Sequence, residues 1–286
     1  MCGIAGIIGD YDISDLESFS EKIKHRGPDG TKYYKSQSFC FIHSLLKIMD
    51  LSVNSVQPMI DKDTGNVIIF NGSIYNYKEL KKKLFFKDSF NSNTDTEVLL
   101  KLYNKFGLDF VQHINGMFSM ALYVKKLNKI YIIKDKYGIK PLYYFSNSKK
   151  FIFASEIKAL LTNKIVKDNL SVDINEVVKF IAHRQIHGFN KTLLNNINSL
   201  EPGHILEFDV RKNVFKIEKY FNTNHDLLKN NTANSFEENL DQAISEQSIT
   251  EHKKIACFLS GGLDSTLLSI ILKNQAKDKE IHTFSS

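Results

Sequence analysis

Apolar runs broken by turn residues dominate the first half of the chain, a pattern typical of strands. The run Gly3 to Gly9 predicts a buried strand, and helical spacing predicts helices over 13–23, capped by Ser14, and over 95–106. Further strands are predicted over 32–34, 39–43, 67–70, 118–124, 129–134, 142–145 and 151–154. Many strands with few crossovers predict a layered sheet domain with helices outside.

The last part of the chain opens with a polar, asparagine-rich stretch, 222–235, which is typical of a linker. The pattern then predicts a helix over 236–249, a strand over 255–259, a glycine-rich loop over 260–264, a helix over 265–273 and a strand over 281–285. This order predicts the beginning of a parallel α/β domain, with too few strands to close a core alone. We divide the chain into a first domain over 1–210, a linker over 211–235 and an incomplete second domain over 236–286.

Composition and charge exclude several classes of protein. Hydrophobic residues make up 42% of the 286 residues and charged residues 24%, as in ordinary soluble globular proteins. No apolar run approaches the roughly 18 residues that cross a bilayer, and the start has no basic leader. We therefore expect a cytoplasmic protein with no membrane partner. The net charge of +6 comes from scattered lysines and argues against nucleic-acid binding.

Three cysteines, Cys2, Cys40 and Cys257, give no support for disulfides or a zinc site. Their count is odd, and neither a CxxC spacing nor a nearby histidine cluster accompanies them. We predict no protein-bound metal site and no prosthetic group.

Cys2 is the candidate nucleophile. A small second side chain favours removal of Met1, which would make Cys2 the amino terminus. Its thiol can then attack a carbonyl, and its own α-amino group, with a pKa near ~8, can shuttle the proton. A lone cysteine near a chain end is more often structural, so the surrounding motifs must decide between the two interpretations.

Ten motifs spread along the chain carry a resemblance to a known family. In order they are MCGIAGIIGD, HRGPDG, QPM, NGSIYNYKEL, DTEVLLKLY, NGMFSMALY, KDKYGIKPLYY, FASEIKALL, EPGHIL and LSGGLDST. In this order and spacing, the chain resembles the glutamine-hydrolysing asparagine synthetases over almost its whole length. The resemblance implies an α+β protein: a four-layer αββα amino-terminal-nucleophile hydrolase domain, followed by the start of an α/β ATP-pyrophosphatase domain.

The resemblance also implies a division of labour between the two domains. The first, a class II glutamine amidotransferase, releases ammonia from glutamine. The second uses ATP with Mg²⁺ to activate aspartate, and ammonia reaches it through an internal tunnel. Because the second domain is incomplete in this sequence, we expect that this polypeptide alone does not make asparagine.

Matching positions carry the family's roles onto this chain. Cys2 resembles the nucleophile, and the Asn71 side chain with the Gly72 backbone N–H resembles the oxyanion hole. Asp95 resembles the carboxylate that holds the substrate's α-ammonium, and Arg26 resembles the arginine beside the nucleophile. Outside the resemblance, Asn71-Gly72 is typical of a plain turn after a strand, and Asp95 of a helix N-cap.

Two positions depart from the family's glutamine pocket, which by resemblance also includes Ile48. Leu45 stands where the family has an arginine that grips the glutamine carboxylate, a bidentate contact that leucine cannot make. Ser73 stands where a glutamate contributes to the ammonium pocket. Each lost charge-assisted contact costs ~1.5–3 kcal/mol. We therefore hypothesise that glutamine binding is weak, lost or shifted to another amide.

The segment LSGGLDS resembles the pyrophosphate loop of ATP pyrophosphatases. A strand delivers a glycine-rich turn to a helix N-terminus, where free N–H groups and the helix dipole favour phosphate. The ATP-contacting positions implied by the resemblance are Leu259, Ser260, Gly261, Gly262, Asp264, Ser265 and Ser286. Outside the resemblance, a glycine pair before a helix is an ordinary tight turn.

Three alternatives stay open at this level. The first is an amidotransferase with another donor or acceptor, such as a sugar or a β-lactam precursor. The second is a degenerate relative kept as a binding or scaffold protein, or a remnant, which Leu45 and Ser73 favour and Cys2 and Asn71 oppose. The third is a split enzyme whose synthetase domain is a separate chain. Family members are often homodimers.

Overall fold

A computed structural model describes residues 1–86, 89–186, 188–222 and 235–285. Its strands are β1 (Gly3–Ile8), β2 (Thr31–Lys35), β3 (Phe39–Ser44), β4 (Met59–Ile60), β5 (Val67–Ile74), β6 (Gly116–Val124), β7 (Lys129–Lys134), β8 (Tyr143–Ser146), β9 (Phe151–Ala154), β10 (Ile197–Ser199), β11 (His204–Asp209), β12 (Val214–Lys219), β13 (Lys254–Phe258) and β14 (Glu280–Phe284). Its α-helices are α1 (Ile13–Ile23), α2 (Tyr77–Leu84), α3 (Asp95–Phe106), α4 (Ile157–Leu160), α5 (Lys164–Asp168), α6 (Ile174–His183), α7 (Phe236–Gln247) and α8 (Leu263–Gln275).

Two six-stranded antiparallel sheets form the centre of the first domain as described. One has the order β10-β8-β9-β1-β3-β2 and the other β12-β11-β7-β6-β5-β4. Helices α1 and α4 pack outside the first sheet, and α2 and α3 pack outside the second. The predicted four-layer αββα fold is therefore confirmed.

Three apolar layers hold these elements together. Between the sheets, side chains such as Phe39, Phe41 and Ile69 are buried against one another. Apolar residues of α1, including Phe19, cover the outer face of the first sheet, and those of α3, including Leu102, cover the second. Alternate strand residues face opposite layers, so each sheet supplies both an inner and an outer core.

Strand β5 is longer than the sequence predicted. We expected it to end at Phe70, with Asn71-Gly72 in a turn, but it continues to Ile74. Pairing with β6 runs unbroken from Val67 opposite Tyr123 to Ile74 opposite Gly116. Asn-Gly is a strong turn signal in isolation, and the long ladder with β6 outweighs it here.

The predicted cap of α1 was also wrong. The N-cap is Asp12, whose side chain accepts the Asp15 N–H at 2.8 Å, and Asp15 completes a capping box. Ser14 lies within the helix and donates its hydroxyl to Asp12 instead. Because the capping carboxylate precedes the serine by two residues, the helix begins one residue before Ser14.

The segment that we assigned to a linker, 211–235, begins with a strand. Residues Val214–Lys219 form β12, which pairs with β11 in register from Val214 opposite Asp209 to Lys219 opposite His204. All six residues of β12 are exposed, and charged side chains on a sheet edge obscure a strand pattern. This corrects the start of the linker, because sheet residues extend to Lys219. Residues 223–234 lie outside the described ranges.

Sequence analysis did not predict helix α6, in which apolar side chains are exposed and a charged side chain is buried. Ile174, Val178 and Ile181 are exposed, whereas Glu176 is buried.

The predicted strand-loop-helix-strand order of the second domain is confirmed as β13, α8 and β14. Strands β13 and β14 pair in parallel, with Ile255 opposite Ile281.

Candidate active site

A cleft of about 260 Å³ opens at the end of the two sheets where β1 begins. Most of the positions predicted for glutamine hydrolysis line it: Cys2, Leu45, Ile48, Asn71, Gly72, Ser73 and Asp95. Cys2 and Asp95, which are 93 positions apart in the sequence, thus share one cavity, because β1, β3, β5 and the start of α3 converge there.

The Cys2 thiol lies against the loop that follows β3. Its Sγ accepts the Leu46 N–H at 3.4 Å and is 3.7 Å from the Leu46 carbonyl oxygen. Burial raises the pKa of the Cys2 thiol, and the backbone hydrogen bond from Leu46 opposes this. The resting thiol is therefore protonated, and it requires a base at the moment of attack.

Lys140 brings a buried ammonium to the same cleft. Its Nζ lies 2.9 Å from the Met1 Sδ, and burial lowers the pKa of this ammonium. Burial also lowers the pKa of the Met1 α-amino group, with smaller contributions from the charges of Arg26 and Lys140. A positive, desolvated environment therefore favours a neutral amine at this end of the chain.

Arg26 lies behind the nucleophile rather than in the cleft wall. Its Nε donates to the Cys2 carbonyl oxygen at 3.0 Å, and its Nη1 donates to Glu156 at 3.0 Å. Burial would raise the pKa of Glu156, but hydrogen bonds from Lys158, Arg26 and His25 outweigh it and lower that pKa to about 2. Glu156 is thus a permanent anion that orients Arg26, which fixes the backbone of Cys2.

The outer edge of β5 supplies backbone donors to the cleft. Strand β4 covers this edge only opposite Val67 and Ile68. Beyond that point, alternate residues direct their N–H groups to the uncovered edge. The Phe70 and Ile74 N–H groups bond to side chains there. Gly72, midway between them, directs its N–H to the same edge and lines the cleft.

Gly72 must be glycine for steric reasons. An added Cβ would lie 2.2 Å from the Met117 carbonyl oxygen and 2.7 Å from the Phe118 Cβ on the neighbouring strand. Such distances are far below van der Waals contact, and the neighbours are part of the β5–β6 ladder. The glycine therefore permits both close strand packing and close approach of a ligand to its N–H.

Asn71 is the polar group in the cleft that most needs a ligand. Its side chain is 1% exposed, and within the described part of the chain neither its Nδ2 nor its Oδ1 has a hydrogen-bond partner. Leaving a buried amide unpaired costs roughly 1–3 kcal/mol. Asn71 lies on the same face of β5 as Val67 and Ile69, because alternate residues of a strand point to the same side. Val67 and Ile69 face the layer between the sheets, so the Asn71 amide lies at the end of that layer, in the cleft.

Asp95 opens α3 and reaches back to β5. Thr94, not Asp95, is the N-cap of the helix. Asp95 Oδ2 accepts the Ile74 N–H at 2.9 Å, and Thr96 Oγ1 lies 3.5 Å from Oδ1. Burial raises the pKa of Asp95 to about 6, against several opposing hydrogen bonds. An ammonium ligand would relieve this buried negative charge.

The two positions that depart from the family pattern both line the cleft. Leu45 is 8% exposed, and its backbone is fixed by Gly30 and Asp29 of the HRGPDG turn. Ser73 lies on β5, next to Gly72. The wall formed by Leu45 and Ile48 is therefore apolar where a carboxylate-binding arginine was expected.

The last residue of α7 and the residues that follow it close one side of this cleft. Gln247 and Ile249 line it. Thr250 Oγ1 donates to the Ile48 carbonyl oxygen at 3.0 Å, and Glu251 Oε2 accepts the Leu51 N–H at 3.0 Å. The beginning of the second domain thus holds the loop that carries Leu45 to Leu51.

The predicted ATP loop is a self-contained turn between β13 and α8. The hydroxyls of Ser260 and Ser265 lie 3.0 Å apart, and Ser265 Oγ accepts the Ser260 N–H at 3.2 Å. Gly261 has a φ of +81°, a left-handed conformation that favours glycine. Gly262 caps α8, and Leu259 and Asp264 flank the turn. Ser286 lies outside the described residues.

Neither metal-ligand clusters nor membrane-spanning helices occur in the described part of the chain. No group of three or more His, Cys, Asp or Glu side chains comes together there in a way that could hold a metal ion. None of the described helices combines the length and apolar character needed to cross a bilayer.

Sequence analysis assigned no role to two buried residues that bond to the strand carrying the candidate oxyanion donors, and one of them, Gln57, also lines the cleft. His43 and Gln57 are buried and both bond to the backbone of Phe70. Gln57 belongs to the QPM motif, and a motif glutamine at a buried position was the signal available for it. His43 lies two residues before Leu45 in a stretch similar to the family's His-x-Arg-Leu, and only Leu45 was assigned a role there.

Comparison with protein families agrees with this architecture. The model of the glutamine amidotransferase domain family matches residues 1–221, more than half of the chain. The chain therefore belongs to the glutamine amidotransferase domain family, whose members are enzymes. The asparagine synthase family model matches residues 235–286.

Named relatives extend the similarity over the whole chain. Asparagine synthetase (glutamine-hydrolyzing) 2 of Bacillus subtilis is 32% identical over 100% of this chain and 40% of its own length. Putative asparagine synthetase (glutamine-hydrolyzing) 2 of Methanocaldococcus jannaschii is 33% identical over 100% of this chain and 59% of its own length. The chain thus spans about half the length of these relatives.

A solved structure shares the fold. Glutamine phosphoribosylpyrophosphate amidotransferase from Bacillus subtilis superposes with a TM-score of 0.56 over 99% of this chain and 65% of its own. Its sequence is 15% identical, so the similarity concerns the fold alone.

Proposed function

We propose that this chain hydrolyses the side-chain amide of glutamine at Cys2 and supplies the ammonia to an ATP-dependent amidation of aspartate. The observation that carries the first step is the buried, unpartnered amide of Asn71 in a cleft shared with Cys2 and Gly72. Unpaired buried donors are rare in folded proteins. Two donors beside a nucleophile are what a developing oxyanion requires.

The reaction balances with the groups present. The Cys2 thiol attacks the amide carbon, an S–C bond forms, and the carbonyl π electrons move onto oxygen. Asn71 Nδ2 and the Gly72 N–H donate to this oxyanion. The α-amino group of Cys2, after removal of Met1, takes the thiol proton and transfers it to the leaving nitrogen, which departs as ammonia. Water then cleaves the thioester and gives glutamate.

Substrate orientation depends on Asp95. Its carboxylate would pair with the α-ammonium of glutamine and place the side-chain amide over Cys2. Because burial raises the pKa of Asp95 to about 6, the carboxylate is charged above that pH and neutral below it. We expect KM for glutamine to rise as the pH falls through about 6.

The second step is supported by the loop between β13 and α8. Ser260, Ser265 and the N–H groups at the start of α8 fit a phosphate group, since a glycine-rich turn leads directly into a helix N-terminus. ATP bound there would activate the side-chain carboxylate of aspartate toward ammonia. The described residues offer no cluster for Mg²⁺, and we assign no step to that ion. Such a reaction suits a cytoplasmic enzyme that draws on glutamine, aspartate and ATP.

The decisive experiment measures ammonia release from glutamine by the purified chain, with removal of Met1 confirmed by mass spectrometry. We expect release that disappears in Cys2→Ala. Folded, correctly processed protein that releases no ammonia would contradict the proposal and favour a scaffold or remnant. Co-purification with a synthetase-domain chain would favour a split enzyme.

A second candidate concerns the amide donor. Leu45 and Ile48 offer no charge to a carboxylate, and the Lys47 ammonium bonds to the Leu51 carbonyl oxygen, which favours a donor that lacks the α-carboxylate. The matched probe is 4-aminobutanamide, which keeps the amide and the amine of glutamine but not its carboxylate. Comparable kcat/KM for the two compounds would support this candidate, and a preference for glutamine of 100-fold or more would exclude it.

A further inference from the structure

We infer that His43 and Gln57 are positioning residues that fix the oxyanion donors on the uncovered edge of β5. This inference deepens the proposed function and rests on it. His43 does not line the cleft, and Gln57 lines it beside Phe70 and Asn71. Both act through the backbone of Phe70, the residue that precedes the donors.

The edge of β5 needs such support because, among the described residues, no strand pairs with it beyond Ile68. Backbone groups at a free edge exchange hydrogen bonds with water, and the strand can bend there. At Phe70, however, both backbone polar groups are bound to buried side chains. Gln57 Oε1 accepts the Phe70 N–H at 2.6 Å, and His43 Nε2 lies 3.1 Å from the Phe70 carbonyl oxygen.

His43 is a donor in this contact. The Phe70 carbonyl oxygen can only accept, so the Nε2 carries the hydrogen. The ring is fully buried, and burial lowers the pKa of His43 to about 4. It is therefore neutral at physiological pH, and its Nδ1 is an unprotonated nitrogen that has no partner among the described residues. A side chain with a donor at the Nε2 position alone would reproduce the contact.

Gln57 extends the support to the far side of the donors. Its Nε2 donates to Thr96 Oγ1 at 3.1 Å, and Thr96 Oγ1 lies 3.5 Å from Asp95 Oδ1. Asp95 Oδ2 in turn accepts the Ile74 N–H at 2.9 Å.

These contacts close a ring with the strand itself. From Phe70 the ring passes through the side chains of Gln57, Thr96 and Asp95 to Ile74. It then returns to Phe70 along β5. Gly72 is the middle residue of that stretch of strand, so the ring clamps the strand two residues before and two residues after the Gly72 N–H. The same ring contains Asp95, which links the proposed ammonium contact to the oxyanion donors.

Loss of the clamp should affect the transition state more than substrate binding. An oxyanion donor contributes most when it is already aligned with the developing charge, and removing one typically costs about 10²–10³-fold in kcat. A donor that is present but poorly held loses part of that benefit. We expect His43→Leu and Gln57→Met to lower kcat about 10- to 100-fold while KM for glutamine changes less than about 3-fold.

Two further variants separate positioning from general damage to the core. His43→Gln places an amide donor near the former Nε2 and should restore kcat to within about 3-fold of wild type. Asn66→Ala is the matched control, because Asn66 Oδ1 accepts the Lys125 N–H at 3.1 Å just before the opposite end of β5. It removes this part-buried contact to the backbone and the hydrogen bond from Asn66 Nδ2 to Asn104, neither of which belongs to the ring, so kcat should not change.

Hydrogen exchange provides a readout that does not depend on activity. The backbone amides of residues 70–74 should exchange at least about 10-fold faster in His43→Leu and Gln57→Met than in wild type, and at the wild-type rate in Asn66→Ala. Unchanged exchange rates in both His43→Leu and Gln57→Met would contradict the clamp. Equal losses of kcat in His43→Leu and His43→Gln, or a loss confined to KM, would overturn the positioning role. A wild-type chain without activity but with the expected exchange pattern would instead contradict the proposed function.

Discussion

The cleft at Cys2 and the loop at Ser260–Ser265 are both candidate ligand sites, but they are built in opposite ways. The cleft is assembled from distant segments, and its polar side chains are buried: Asn71 is 1% exposed and Asp95 4%. The loop is local, with its contacts confined to neighbours within five residues, and it is exposed on the surface. One site depends on the core, and the other depends on the conformation of a single turn.

This difference determines how each ligand-free site affects the stability of the fold. In the cleft, an unpaired amide and a buried carboxylate destabilise the ligand-free fold, and a bound substrate would relieve both. In the loop, water forms hydrogen bonds with the exposed polar groups, so the ligand-free turn destabilises the fold only slightly. Substitutions should therefore have large, mixed effects on stability and activity in the cleft, and small, separable effects in the loop.

The strongest contrast comes from one glycine in each region. Gly72→Ala drives a Cβ into the β6 backbone, and we expect a loss of about 3 kcal/mol or more in unfolding free energy and at least about 100-fold in ammonia release. Gly261→Ala meets no atom within 4 Å and carries only the cost of a positive φ, about 1–2 kcal/mol confined to the turn. Chemical denaturation and glutaminase assays measure both. Equal losses in the two variants would remove the contrast.

Asp95 tests whether the cleft trades stability for binding. The pKa of Asp95 is raised to about 6 in the fold, so its contribution to stability is full below the unfolded value near 3.8 and is lost as the pH rises through about 6. Asp95→Asn should therefore stabilise the ligand-free protein by about 2–3 kcal/mol above pH 6 and nearly abolish glutamine turnover. Denaturation at pH 4 and pH 8 checks the sign. A variant less stable than wild type at pH 8 would show that the charge is compensated.

Leu45→Arg tests the apolar wall directly. An arginine there would offer a bidentate contact to the glutamine carboxylate worth ~1.5–3 kcal/mol, so KM for glutamine should fall about 10- to 100-fold while KM for 4-aminobutanamide does not. Leu45→Met is the matched control for packing. If KM falls equally for glutamine and for 4-aminobutanamide, the tighter binding does not come from contact with the carboxylate.

The smallest effect is expected in the loop. Ser265→Ala removes a hydroxyl that bonds to Ser260 and faces the proposed phosphate position, so ATP binding should weaken about 5- to 10-fold, since one hydrogen bond contributes about 1 kcal/mol. Calorimetric titration with ATP measures the change, and Ser269→Ala, one turn further along α8, is the control. Glutaminase activity should not respond to either substitution.

The two regions also differ in how far the sequence predicts them. The strand, glycine-rich turn and helix of the loop follow from local rules, and the structure agrees with them closely. In the cleft, motif resemblance led to Cys2, Asn71, Gly72 and Asp95, but not to their arrangement. Asn71-Gly72 was expected in a turn because that pair favours turns, and only its pairing with β6 explains the strand.

Contacts between distant segments account for the rest of what sequence analysis missed. His43 and Phe70 are 27 positions apart, and Gln57 and Thr96 are 39 positions apart. No periodicity or composition connects such pairs. The start of the linker was misplaced for a related reason, because β12 is recognisable as a strand only once β11 is beside it.

The ring around Gly72 has a consequence for recombining this domain with its relatives. The ring and His43, which bonds to it at Phe70, come from four stretches of chain: β3, the QPM motif, β5 and the start of α3. A chimera that crosses over between His43 and Thr96 would combine these residues from different parents. A crossover after α3 would inherit the ring intact. Libraries built from such parents should therefore treat the first 106 residues as a single exchangeable block.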